Sequence, residues 1–142
     1  MREIGGYFQL DNLINNPYHN NVLELNTGRN ALLYLIKAKK IKRVFLPYYL
    51  CDSISNILRK YSIDYSYYRI NTDFLPEFEE NLRENEYLYI VNYFGQLTEN
   101  TIIELKEKYK RIILDNTQAF FQKPILNIDT LYSCRKYFGV PD

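Results

Sequence analysis

The chain has no tryptophan, a single histidine, two cysteines, five glycines and five prolines in 142 residues. One histidine and two cysteines far apart in sequence do not make a metal-ligand spacing, so no metal site is expected. Cys51 and Cys134 read as free thiols of a reducing compartment. An excess of one charge is missing too: 18 Lys and Arg stand against 17 Asp and Glu, a formal net charge of +1. Such a chain has no global field to draw nucleic acid or an acidic membrane, and the run Lys39-Lys40-Ile41-Lys42-Arg43 reads as a solvated helix end. No apolar stretch approaches the roughly 20 residues of a spanning helix, and the start Met1-Arg2-Glu3-Ile4-Gly5-Gly6 has no apolar leader core. The cytoplasm is the expected compartment, with neither membrane nor nucleic acid as partner.

Aromatics are what the chain has in plenty, 15 Tyr and 8 Phe. Most should fill core and interface, with one or two left to serve a ligand. Hydrophobic segments alternate in kind. Strands are expected at Val22–Leu25, Arg43–Leu46 closed by Pro47, Asp64–Ile70, Tyr87–Val91, Arg111–Leu114 and near Thr130-Leu131-Tyr132. Helices are expected at Asn30–Lys37, entered through Thr27-Gly28, at Asp52–Lys60, and at Glu99–Lys110 with Ile102, Ile103 and Leu105 inward. The acidic stretch 73–85 reads as a loop with a helical turn. This alternation predicts an α/β fold, a mainly parallel sheet with helices on both faces, in which ligands sit at the carboxyl ends of strands.

Several polar residues follow expected strands. Gly28 at a helix start, with Arg29 and Asn30, could let a phosphate approach backbone N–H groups and the positive helix end; an ordinary N-cap in a tight turn fits the same residues. Tyr48 and Tyr49 could offer a ring to a flat heterocycle, or belong to the core. Asp115 could hold a pyridinium nitrogen protonated, or cap the next turn.

Lys136 admits three readings. Ser133-Cys134-Arg135-Lys136 matches the Ser-x-x-Lys of penicillin-binding enzymes, but the Ser-Asp-Asn and Lys-Thr-Gly partners are absent. Tyr132 and Lys136 match a Tyr-x-x-x-Lys proton-transfer pair, yet Gly139 and Pro141 break a helix there and no Gly-x-x-x-Gly-x-Gly loop opens the chain. A Schiff-base lysine with Ser133 as phosphate ligand, or an exposed structural lysine, remains.

Six segments stand in a telling order: Ile4-Gly5-Gly6-Tyr7-Phe8, Thr27-Gly28-Arg29-Asn30-Ala31-Leu32, Leu46-Pro47-Tyr48-Tyr49-Leu50-Cys51, Val91-Asn92-Tyr93-Phe94-Gly95, Asp115-Asn116-Thr117-Gln118-Ala119 and Ser133-Cys134-Arg135-Lys136. Together they resemble the amino-terminal part of the DegT-like sugar-nucleotide aminotransferases, which are fold-type-I pyridoxal phosphate enzymes. The resemblance implies pyridoxal phosphate as cofactor, Lys136 as its Schiff-base and proton-shuttling lysine, Asp115 on the pyridine nitrogen and Gln118 facing the ring's 3-oxygen. Gly28, Arg29, Asn30 and Ser133 would hold the phosphate, and Tyr49 would stack on the ring. A nucleotide-linked keto-sugar and an amino-acid donor such as glutamate would be the substrates, in polysaccharide or related sugar synthesis, and a homodimer the assembly.

Departures mark a divergent branch: Arg29 where a small or hydroxyl residue is common, Leu131 where the serine more often stands, and Asn92 where histidine is frequent. Family members continue well past the lysine, so residues 1–142 are expected to be an incomplete large domain without the carboxy-terminal domain, with little activity alone. Two further classes stay open at this point, a non-catalytic fragment and a nucleotide-binding α/β module.

Overall fold

The computed structural model describes residues 17–139. The Ile4–Phe8 segment and Pro141 lie outside the described residues.

Helix α1 (Gly28–Ala38) starts where the Thr27 side chain accepts a hydrogen bond from the Asn30 N–H, and it buries Leu32, Leu33 and Ile36 at the spacing of one helical face. It stops at Lys39, followed by Lys40 at φ 54°. Strand β1 (Arg43–Pro47) follows, then α2 (Asp52–Lys60), β2 (Asp64–Ile70) and β3 (Pro76–Glu77). Helix α2 carries Asp52 in its first turn and Arg59 and Lys60 in its last, charges placed to match the helix dipole. Strand β4 (Glu86–Val91), helix α3 (Glu99–Tyr109), β5 (Ile112–Asp115) and β6 (Asp129–Leu131) complete the order. Thr98 caps α3, and Lys110 at φ 62° ends it.

The strands form one six-stranded sheet in the order β3-β2-β1-β4-β5-β6. All pairings are parallel except β2 with the two-residue β3. Side chains alternate across it as the strand period demands. Val44, Leu46, Tyr89, Val91 and Ile113 pack with Leu32, Ile36, Ile54 and Leu58 of α1 and α2. Phe45, Leu88, Ile90, Ile112 and Leu114 pack on the other face with Ile102, Leu105 and Tyr109 of α3 and with Phe78. Helices thus cover both faces, as the alternation predicted.

Three expectations fail, each for a physical reason. Val22–Leu25 forms no strand because it pairs with no described strand, and Val22, Leu23 and Leu25 are exposed. Stretch 73–85 contains β3 rather than a helical turn, with the Asn71 side chain accepting hydrogen bonds from the Asp73 and Leu75 N–H groups to shape the turn. Ile103 points outward because it lies about 100° around the helix from the fully buried Ile102.

From β1 the chain winds through α2 to β2 on one side, and from β4 through α3 to β5 on the other. The winding therefore reverses between β1 and β4. In a parallel sheet that is where the two outgoing loops diverge and open a crevice at the strands' carboxyl ends.

Candidate active site

A cleft of about 840 Å³ occupies this crevice. Several segments deliver residues to it: Thr27, Gly28 and Arg29 from the start of α1, Tyr48, Tyr49 and Cys51 from the β1–α2 loop, Tyr93 and Phe94 after β4. Asp115 and Gln118 enter from the end of β5, and Ser133 and Lys136 from the turn after β6. Seven of the eight site residues expected from sequence thus line one cleft. Asn30 does not: its N–H is taken by the Thr27 hydroxyl at 3.1 Å, and its amide donates to Asn26 Oδ1 at 2.7 Å.

At the head of α1, a Cβ built on Gly28 would meet nothing within 4 Å. Internal packing therefore gives no reason for a glycine here, whereas a ligand approaching the first turn would use the open space. Arg29 sits beside it on the exposed rim.

Asp115 is 4% exposed and held on both oxygens. The Thr117 N–H donates to Oδ1 at 2.8 Å and the Tyr89 hydroxyl to Oδ2 at 2.7 Å. Asp115 thus caps the next turn, one of the two roles open from sequence, and also lines the cleft. A carboxylate offers about four lone-pair positions. Two donors leave acceptor capacity toward the cleft.

Gln118 lies on the turn beyond Asp115, and its Oε1 accepts from the Phe94 N–H at 3.2 Å. Phe94 and Gly95 have φ of 55° and 71°. The bond to Gln118 holds that left-handed turn at the cleft wall, with Phe94 itself 62% exposed. Tyr49 is half-stacked on Tyr93, centroids 5.4 Å apart and planes at 32°, and the Tyr93 hydroxyl donates to the Tyr49 carbonyl. Tyr48 instead stacks on Tyr67 at 5.0 Å and 19°. Of the two tyrosines, Tyr49 is the one braced from within the cleft.

Lys136 ends a short 3-10 turn, Cys134–Lys136, and is exposed beside Ser133. Cys51 faces the same space from the head of α2, its thiol held below the ordinary value by hydrogen bonding to Ser53, with a smaller contribution from the Lys136 charge. Burial, followed by the Asp115 charge, pushes the Tyr93 hydroxyl above the ordinary phenol range.

Sequence reasoning missed Tyr89, Tyr93 and Thr27. Tyr89 reads as one more apolar residue of a buried strand, and only its partner 26 positions away gives it a polar task. Thr27 carried a usable signal, a hydroxyl three residues ahead of Asn30 at a helix start. Among the described residues no group of His, Cys, Asp and Glu is arranged to hold a metal ion, and no helix is long and apolar enough to cross a membrane. Both cysteines are free.

No protein-family model matches the sequence, and no curated protein matches it. Solved structures do. L-threonine-O-3-phosphate decarboxylase from Porphyromonas gingivalis matches over 82% of this chain and 40% of its own, with a TM-score of 0.61 and 17% identity. Sphingosine-1-phosphate lyase from Burkholderia pseudomallei matches over 65% of this chain and 24% of its own, with a TM-score of 0.42 and 11% identity. An aminotransferase-like protein from the same organism matches over 64% and 30%, with a TM-score of 0.47 and 10% identity. This chain spans less than half the length of each. The decarboxylase carries the comparison: the chain shares the fold of part of that protein, a mainly parallel sheet with helices on both faces.

Proposed function

We propose that the chain is the cofactor-holding part of a pyridoxal phosphate-dependent aminotransferase. The observation that carries this is the convergence of Gly28, Tyr49, Asp115, Gln118, Ser133 and Lys136 on one cleft at the point where the sheet's winding reverses. Those residues supply the functional groups such a cofactor requires. Pyridoxal phosphate, when bound, withdraws electrons from an amino acid's α carbon so that its proton can leave.

The protein's share would be positional and acid–base. The Gly28 turn, Arg29 and the Ser133 hydroxyl would hold the phosphate, the turn through backbone N–H groups at the positive end of α1. Tyr49 would cover one face of the ring. The Asp115 carboxylate would accept the ring N–H and keep that nitrogen protonated, and Gln118 would face the 3-oxygen. Lys136 Nζ would be the nucleophile toward the cofactor aldehyde and then move a proton to and from the donor's α carbon.

The finer reading rests on the DegT-like resemblance: transfer of an amino group from glutamate to a nucleotide-linked keto-sugar for polysaccharide or related sugar synthesis, in the cytoplasm. A homodimer would complete the site.

Adding pyridoxal phosphate to the purified chain tests the core of this reading. A visible absorbance band beyond that of free cofactor is expected, lost in Lys136→Ala. A band that survives the substitution removes Lys136 from its role, and no band in either protein overturns the cofactor assignment.

A further inference from the structure

Tyr89 sits in the middle strand β4 at 1% exposure, yet it carries a hydroxyl into the protein interior. An apolar ring would fill the same space without the cost of burying a polar group. The hydroxyl reaches Asp115 Oδ2 at 2.7 Å, while the Thr117 N–H holds Oδ1 at 2.8 Å. Bonds to both oxygens from two directions stop the carboxylate from turning about its own axis. The backbone of Tyr89 is pinned as well, its carbonyl accepting from the Tyr68 hydroxyl at 2.8 Å. Tyr89 and Asp115 both line the cleft.

We propose that Tyr89 is a positioning residue, its hydroxyl fixing the Asp115 carboxylate in the orientation that faces a cofactor ring nitrogen. The role rests on reading the cleft as a pyridoxal phosphate site. Burial first and the Asp115 charge second raise the Tyr89 hydroxyl well above the usual phenol value, so it stays a donor through neutral and moderately alkaline conditions.

The test compares Tyr89→Phe with the unaltered protein and with Tyr109→Phe, by titration with pyridoxal phosphate and by visible circular dichroism per bound cofactor. Tyr89→Phe should raise the cofactor Kd about 10-fold, roughly 1.4 kcal/mol, and should diminish the dichroism as the ring loses its fixed orientation. Tyr109→Phe removes a buried hydroxyl, which donates to the Phe78 carbonyl at 3.1 Å on the other face of the sheet, without touching Tyr89 or Asp115, so it should lower thermal stability and leave Kd and dichroism unchanged. Tyr89→Phe binding like the unaltered protein, or Tyr109→Phe weakening binding equally, would overturn the assignment. Should Tyr89→Phe fail to fold, the double variant with Asp115→Asn takes its place and should bind no more weakly than Asp115→Asn alone; a further loss would give Tyr89 a task apart from Asp115 and reject the proposal. Failure of the underlying reading looks different: the unaltered protein then shows no Lys136-dependent band at all.

Discussion

Asn92 is fully buried, and its amide is engaged at both ends. Oδ1 accepts from the Leu97 N–H at 2.9 Å, and Nδ2 donates to Asn116 Oδ1 at 3.1 Å and to Gln122 Oε1. The bonds tie the turn that carries Phe94 and Gly95 to the segment after Asp115, so one side chain fixes two walls of the cleft. Asn92→Ala would take this partner from a buried backbone donor, the buried Asn116 Oδ1 and the half-buried Gln122 Oε1. A loss of about 2–4 kcal/mol in urea unfolding is expected; a loss under about 1 kcal/mol would mean those groups find other partners. From sequence Asn92 is visible only as a departure from histidine. Its partners lie 24 and 30 residues away and belong to segments whose proximity exists only once the sheet has formed. Tyr89 is hidden in the same way, while the place of Asp115, Gln118 and Lys136 at the cleft is legible because each follows a strand inside a recognisable local motif.

At the scale of elements, signals held where they were local. α2 and β2 fall at the expected residues, Asp52–Lys60 and Asp64–Ile70, because their periods of 3.6 and 2 are written in neighbouring positions. Val22–Leu25 shows the opposite case: its apolar residues suit a strand, but a strand exists only by pairing, and none of the described strands is its partner. The start of α1 joins stability to the site. Thr27 there satisfies the Asn30 N–H at 3.1 Å, which leaves Gly28 and Arg29 as the part of the turn that faces the cleft. Thr27→Ala should cost about 1 kcal/mol of unfolding free energy, with most of it regained in Thr27→Ser. If the cap also sets the phosphate cradle, the Ala variant will weaken pyridoxal phosphate binding while the Ser variant will not. Equal binding by both would confine Thr27 to a structural role.

Across the whole molecule, the end of α1 and the start of β6 are drawn together, away from the cleft at the strands' carboxyl ends. Lys39, just beyond α1, meets Asp129 at the start of β6 with Nζ 2.7 Å from Oδ2. The contact links the first helix to the last strand, which is the sheet's edge among the described residues. The hydrogen bond to Asp129 raises the Lys39 pKa above its usual value, against a smaller opposing effect of burial. A lysine whose folded pKa exceeds its unfolded one stabilises the fold fully below the unfolded value, near 10.4, and loses that contribution as pH climbs through the folded value. Both side chains are partly exposed, so screening holds the contribution under about 1 kcal/mol. Tyrosines titrate in the same range, and the comparison must therefore be with Lys39→Met rather than between pH values alone. The urea midpoints of the two proteins should differ by a constant amount from pH 8 to about 9.5 and converge as the pH approaches 12. High salt should narrow the gap at pH 8. A gap unchanged at high pH would mean that the aliphatic stem of Lys39, not its charge, holds α1 against β6.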